Sequence, residues 1–199
     1  MKKIIAVLLL VLAVIAVACH TTSRCHVTSL DRSMIPYKTG DTVYCIDAKG
    51  NRVVLTVTDE TSEWYHYDEY LWEEYRNVYL ESEDGKYTLT LGVQGWYYGN
   101  ESKPLSIVFS SPFGDSWGHL FYTKGGLFRQ NEDVYDSLTI GNRIYYDVAF
   151  HHYSQNSDDY PQYNGTWTLY FNKTHGVLQM TFNEKPVFTL DTIIFAGDR

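Results

Sequence analysis

From residue 35 onward, apolar residues recur at every second position in short segments that end at turn-forming residues. Val53, Leu55 and Val57 alternate with polar residues, and residues 87–93 repeat the pattern. Because successive side chains of a β-strand point to opposite faces, each such segment has one apolar face to bury. No long apolar helix is indicated between these segments, so the sequence predicts an antiparallel all-β domain.

Gly50 and the Asp84-Gly85 pair mark two tight loops between alternating segments, as expected for β-hairpins. The predicted strands lie at residues 42–46, 52–58, 75–82, 87–93, 105–110, 119–123, 137–140, 143–150, 166–172, 177–182 and 186–190. We therefore expect a β-sandwich or a partly closed barrel of about ten strands.

The segment before residue 75 fits two structures. Trp64, Tyr67, Leu71, Tyr75 and Val78 follow the three- and four-residue spacing of a helical stripe. The high aromatic content favours a strand instead. The sequence leaves residues 62–74 open between the two.

The first eighteen residues have the pattern of a signal peptide. Lys2 and Lys3 precede an apolar run at residues 4–17, which is too short to remain as a spanning helix of about 20 residues. We expect residues 1–18 to be removed. Residues 19–34 are polar and predict a tether, and residues 35–199 predict one domain.

The segment Ala16-Val17-Ala18-Cys19 resembles a bacterial lipobox, in which a lipid is attached to the cysteine and the chain is cut just before it. This resemblance implies that Cys19 carries the lipid that binds the protein to the membrane. Ordinary secretion after a small-x-small cut is the alternative. No acidic cluster and no aspartate directly follow Cys19, which favours the periplasmic face of the outer membrane.

Three further segments, residues 35–41, 137–145 and 170–178, resemble parts of small, uncharacterised envelope lipoproteins of the Bacteroidota type. The resemblance implies an outer-membrane lipoprotein with a β-sandwich or partly closed barrel and no catalytic residues. It also draws attention to residues 41–43, 136–138 and 191–193. These tripeptides resemble that group's Asp-Ser/Thr-aliphatic sites of O-glycosylation.

The charge balance argues against a nucleic-acid partner. The chain has a formal net charge of −8, and removing Lys2 and Lys3 gives −10. Wrapping around a duplex requires a basic surface. At 16% aromatic residues, the chain is also too rich in ring side chains for a disordered protein.

Cys25 and Cys45 allow two interpretations outside the cytosol. They could form a disulfide, which would stabilise the fold by about 3 kcal/mol in the chain-entropy model. Alternatively, Cys45 is a small buried thiol on the same face as Val43. The sequence does not decide between them.

Several motifs could carry chemistry, but none has the neighbouring elements or the residue spacing that its chemistry requires. Ser116 lies in a G-x-S-x-G string, with His175 as a candidate base, yet no helix is predicted after it. His151 and His152 are adjacent and would point to opposite faces of a strand. We therefore predict no catalytic residues, no metal site, no cofactor and no enzymatic activity, with a hydrolase using Ser116 as a minor alternative.

The densest aromatic cluster is the candidate ligand patch, since exposed Tyr and Trp stack well on sugar rings and protein partners. It comprises Trp64, Tyr65, Tyr67, Tyr70 and Trp72. Packing in the core and between strands is the competing interpretation. The Glu73-Glu74 pair is expected to be solvated. Together with Asp68 and Glu69, it is expected to repel anionic polysaccharide and to tolerate neutral glycan or a basic protein surface.

The function that these observations favour is a non-catalytic envelope lipoprotein that binds a protein or assists an assembly. The alternative is a β domain that binds a glycan or a small hydrophobic ligand. Gly165-Thr166-Trp167 resembles the G-x-W of lipocalin-like barrels and adds to this alternative.

Lipidation predicts a direct labelling result. Cells fed a fatty-acid analogue should label the wild-type protein, and Cys19→Ala should abolish the label because the thiol that accepts the lipid is gone. In detergent phase separation, the wild type should enter the detergent phase and the variant the aqueous phase. An unlabelled wild type would contradict the prediction.

Overall fold

The computed structural model describes residues 23–68, 71–95, 102–112, 114–123, 133–155 and 164–197. The described chain forms twelve strands and one short helix, α1 (Ser29–Ser33). The strands are β1 (Ser23–Cys25), β2 (Thr42–Asp47), β3 (Arg52–Asp68), β4 (Leu71–Ser82), β5 (Thr88–Gln94), β6 (Ser102–Ser111), β7 (Gly114–Thr123), β8 (Asp133–Ile140), β9 (Arg143–Gln155), β10 (Gly165–Asn172), β11 (Gly176–Phe182) and β12 (Lys185–Ile194). The predicted all-β class is confirmed.

Eleven strands form one antiparallel sheet in the order β7-β6-β5-β4-β3-β2-β12-β11-β10-β9-β8. The sheet curls strongly. Phe109 on β6 and Phe188 on β12 are five strand steps apart, which is roughly 24 Å across a flat sheet. Their ring centroids nevertheless lie only 5.5 Å apart. The sheet therefore folds over its own apolar face.

The two ends of this order approach each other without joining. Residues of β7 lie against β9, but no backbone ladder links them in the part of the chain that the structure describes. The curled sheet is therefore not a closed barrel. Its concave face holds a single apolar core, which includes Leu55, Leu80, Leu89, Leu91, Ile107, Phe109, Phe171 and Phe188.

The predicted hairpins form where the turn residues placed them. Asp47 closes the β2–β3 loop by accepting hydrogen bonds from the backbone N–H groups of Lys49 and Asn51, both at 2.8 Å. It also accepts one from the Tyr87 hydroxyl at 3.0 Å, which ties this loop to the start of β5. One buried carboxylate thus connects two hairpins that are separate in sequence.

Residues 62–74, which the sequence left open, are strand wherever they are described. β3 and β4 form a long hairpin arm whose pairing continues from Leu55 opposite Ser82 to Asp68 opposite Leu71. Cross-strand ring contacts support it, such as Tyr65 on Tyr75 with centroids 4.8 Å apart. Aromatic packing between strands outweighs the helical spacing of the same residues.

The tether prediction for residues 19–34 is wrong from residue 23 onward, and residues 19–22 lie outside the described residues. β1 pairs in parallel with β4, at Ser23 opposite Leu71. Val27 and Met34 are buried in the core. Burial of these two side chains and the β1 ladder make the segment part of the domain.

α1 begins with a capping box, in which the side chains of Thr28 and Asp31 each accept a hydrogen bond from the other's backbone N–H. At five residues it is a single turn or slightly more. Within the described ranges, no helix has the length and apolarity needed to cross a bilayer.

Cys25 and Cys45 do not form a disulfide, although both are buried. Cys25 is opposite Glu73, near one end of β4, and Cys45 is opposite Val53, which lies beside the other end of β4. The intervening strand length is roughly 30 Å, whereas a disulfide needs Cα atoms within about 7 Å. Burial raises the pKa of the Cys45 thiol to about 12, with Asp47 and Asp191 acting in the same direction.

Gly176 provides a test of how the N-terminal segment is held. It has φ +75°, and a Cβ there would lie 2.2 Å from the hydroxyl oxygen of Tyr37. That hydroxyl donates a hydrogen bond of 2.7 Å to the carbonyl of His175. Gly176→Ala should therefore combine backbone strain with a clash and lower the free energy of unfolding by roughly 2–5 kcal/mol.

Gly50→Ala is the matched control, because Gly50 has φ +82° but no atom within 4 Å of an added Cβ. Its loss should be limited to the backbone strain, about 1–2 kcal/mol. Urea unfolding of both variants measures the difference. Equal losses would show that the contact with Tyr37 does not restrict this position.

Candidate functional site

The predicted aromatic patch lies at the tip of the β3–β4 arm, and the structure divides it between two faces. Trp64 is opposite Glu74, two residues from Trp72, so both tryptophans lie on one face. Tyr65 is opposite Glu73 and lies on the other face. Tyr70 lies outside the described residues, and the structure does not describe the side chain of Tyr67.

The two tryptophans line a cavity together with Arg24, which is opposite Trp72 on β1. We call this cavity the tryptophan notch. Its volume is about 170 Å³. The Arg24 guanidinium carbon lies 5.9 Å from the Trp64 ring centroid, within the range of a cation–π contact.

Two histidine rings pack against the tryptophans. The ring of His26 meets Trp64 edge-on, with centroids 4.9 Å apart. His66 lies 4.7 Å from Trp72. Trp64 is still 37% exposed. The notch is thus a fixed aromatic surface that remains open to solvent.

Glu74 is buried on the same face of the arm as Trp64, and its carboxylate connects three elements. Its carboxylate accepts hydrogen bonds from the Val27 backbone N–H at 2.9 Å and from the Ser62 hydroxyl at 2.6 Å. Arg32 and His26 lie 3.8 Å and 3.4 Å from its oxygens. These contacts hold the N-terminal segment and α1 against the β3–β4 arm.

The electrostatics of Glu74 follow from these contacts. Burial alone would raise the pKa of Glu74, but the hydrogen bonds from Ser62 and Val27 and the electrostatic interactions with Arg32 and His26 together outweigh it. The pKa therefore lies below its ordinary value. Glu74 is a buried, compensated anion and not the solvated charge expected from the sequence.

Glu73 is also buried, on the opposite face of the arm, where the Gln94 amide donates a hydrogen bond to its carboxylate. Adjacent residues of a strand point apart. The two carboxylates therefore do not share one cleft, as a glycosidase pair would have to.

Ser116 lies within a paired strand. It is in β7, opposite Phe109 of β6, in a ladder that runs from Gly114 to Thr123. The sharp turn of a nucleophile elbow is not formed there. His175 lies in the β10–β11 turn, where its backbone N–H donates to the Asn172 side chain at 2.8 Å.

His151 and His152 point to opposite faces, as predicted. His151 stacks on Tyr153, with centroids 6.0 Å apart, whereas the His152 ring lies 2.7 Å from the Thr168 hydroxyl. Among the described residues, no group of three His, Cys, Asp or Glu side chains is arranged to hold a metal ion.

The structure also places two other sequence motifs, the G-x-W string and the glycosylation-like tripeptides. Trp167 of the G-x-W string is buried and packs on Phe182, with centroids 4.9 Å apart. Asp41, which begins one of the glycosylation-like tripeptides, is buried and accepts hydrogen bonds from the backbone of Lys38 and Ala196. Ser137, in another such tripeptide, is exposed on β8.

The sequence missed Arg24, His26 and Arg32, because it assigned all three to the tether. The only available signal was a pair of isolated apolar residues, Val27 and Met34, between polar ones. Comparison with protein-family models, with curated proteins and with solved structures finds no match to the chain. The site is therefore interpreted from its own geometry.

Glu74 gives a pH-dependent prediction. At pH 7, Glu74→Gln should lower the free energy of unfolding by about 2 kcal/mol, because charge-assisted hydrogen bonds are lost. A carboxylate whose folded pKa is depressed contributes stability above its unfolded pKa and loses that contribution as the pH falls through the folded value. The gap between wild type and variant should therefore narrow below pH 4.5, the ordinary value.

Urea unfolding at pH 7 and at lower pH measures this gap. Glu83→Gln, at an exposed position in the β4–β5 turn, is the control and should change stability by less than about 0.5 kcal/mol. A gap for Glu74→Gln that stays constant over the whole range would contradict the proposed role of its charge.

Proposed function

We propose that the protein is a non-catalytic lipoprotein of the bacterial envelope, anchored through Cys19, whose β domain binds a glycan through the tryptophan notch. The observation that carries the proposal is the pair Trp64 and Trp72 flanking one cavity together with Arg24. A row of aromatics on a flat surface would suit a protein partner equally well, whereas a concave aromatic site favours a ligand that inserts a ring.

The size of the notch supports a single ring. A protein cavity of about 150 Å³ holds one benzene molecule, and the notch measures about 170 Å³. The apolar face of a pyranose ring can stack on an indole while its hydroxyl groups remain in water. The neighbouring units of the same glycan would extend into solvent, past the exposed edge of Trp64.

The surroundings of the notch support binding without catalysis. Glu74 lies on the notch face of the arm, and its oxygens accept hydrogen bonds from Val27 and Ser62. A carboxylate with a depressed pKa is a poor general acid at neutral pH. Its role in this proposal is to hold the segment that carries Arg24 and His26.

A second candidate function rests on a different surface. Four large hydrophobic side chains on β8 and β9 are exposed, namely Val134 at 45%, Tyr135 at 40%, Ile144 at 60% and Tyr146 at 65%. β8 is the last strand of the sheet order, so its outer edge has no neighbouring strand in the described chain. Exposed apolar patches beside a strand edge suit a protein partner.

Matched substitutions distinguish the two candidates. In a glycan array, Trp72→Ala and Trp64→Ala should each reduce binding at least tenfold, because stacking on an aromatic ring is lost, whereas Tyr146→Ala should bind as the wild type does. An array without signal for the wild type would overturn the glycan proposal. Crosslinking in intact envelopes that captures a protein and is lost in Tyr146→Ala would favour the second candidate.

A further inference from the structure

We propose that the tryptophan notch selects a sugar ring that bears a carboxylate, such as a uronic acid, over the corresponding neutral sugar. This inference rests on the proposed glycan-binding function and specifies its ligand class. It reverses the expectation from the sequence, in which the acidic residues around the aromatic cluster favoured neutral glycans.

The first step is that Glu73 and Glu74, two of the four acidic residues around the aromatic cluster, do not act on the notch as the sequence suggested. Glu69 and the side chain of Asp68 lie outside what the structure describes. Glu74 is on the notch face, but it is buried and compensated by two hydrogen-bond donors and by Arg32. Glu73 is buried on the opposite face, where Gln94 donates to it. Neither carboxylate therefore presents an uncompensated negative charge to a ligand in the notch.

The second step concerns Arg24, whose side chain is exposed and lies over the Trp64 ring. Among the side chains that the structure describes, no carboxylate forms an ion pair with it. Contact with an aromatic face restricts the guanidinium without neutralising it, because the ring has no net charge. Arg24 thus lines the cavity with a cation that remains available to a ligand.

The third step is the chemical match. A guanidinium presents planar N–H groups that bind a carboxylate through two parallel hydrogen bonds. A uronic acid combines such a carboxylate with a single pyranose ring, and the cavity lined by Trp64 and Trp72 has the volume for one ring. Stacking alone would not distinguish it from a neutral hexose, so the discrimination depends on Arg24.

A second arginine, Arg32, acts in the same direction. Arg32 and His26 both lie near Glu74, and the formal charges of Arg24, Arg32 and Glu74 leave one positive charge in excess. The protein as a whole is negatively charged, at −8. The described charges on the notch face are therefore net positive on an acidic molecule, which disfavours anions elsewhere on the surface and favours them here.

The test compares two probes that differ only in the carboxylate, a glucuronic-acid oligosaccharide and the matched glucose oligosaccharide. Tryptophan fluorescence of the full-length mature protein reports binding. We expect the wild type to bind the acidic probe at least tenfold more tightly, with the preference falling at high salt because the attraction is electrostatic. Arg24→Gln should lose the preference while still binding the neutral probe.

Two variants serve as controls. Arg143→Gln removes the same charge from an exposed position on β9 and should keep the preference. Arg24→Lys keeps the charge without the planar geometry and should retain part of it. A sulfated glucose oligosaccharide provides a third arm, and tighter binding of this probe than of the carboxylated one would overturn the choice of carboxylate.

The outcomes separate this inference from the proposal beneath it. Equal binding of the acidic and neutral probes would overturn the inference and leave the glycan-binding function intact. Binding of no probe by the wild type would overturn the proposed function itself. A preference that persists unchanged in Arg24→Gln would show that another group binds the carboxylate, and it would overturn the role of Arg24.

Discussion

The structure depends on the burial of one apolar face of a single sheet against itself. Eleven strands in sequence-near order would otherwise leave that face in water, and the roll that brings Phe109 against Phe188 removes it. The roll fixes which side chains face inward on every strand. It leaves the β3–β4 arm, which is longer than its neighbours, to extend with aromatic residues on both faces.

At that arm, the decisive contacts are polar. Glu74 accepts hydrogen bonds from the backbone N–H of Val27 and from the hydroxyl of Ser62. The side chains of Arg32 and His26 lie beside the same carboxylate. This buried anion attaches the segment after β1 to the face that carries the tryptophans. The tryptophan notch therefore depends on a residue that does not line it, since the same segment brings Arg24 to the cavity.

Local alternation of apolar residues was sufficient to predict the hairpins, because each strand's pattern is read within a few residues, as at Val53, Leu55 and Val57. Pairing between distant segments was not accessible in this way. The parallel ladder of β1 on β4 joins residues 23 and 71, and it turned a predicted tether into part of the domain. Trp64 and Trp72 of the predicted patch line one cavity, but Arg24, which lines it with them, was not predicted for this reason. Adjacent Glu73 and Glu74 were expected to be solvated because a sequence does not show which buried donors will meet each carboxylate.

The register of β1 on β4 also bears on where a ligand would have to be. Ser23 is opposite Leu71 at the tip of the arm, and it follows Cys19 by only four positions in the chain. Even fully extended, that length spans at most about 14 Å. If Cys19 carries the lipid, the tip of the arm therefore lies close to the headgroups. A glycan would then bind in the notch only where part of it lies close to the membrane surface.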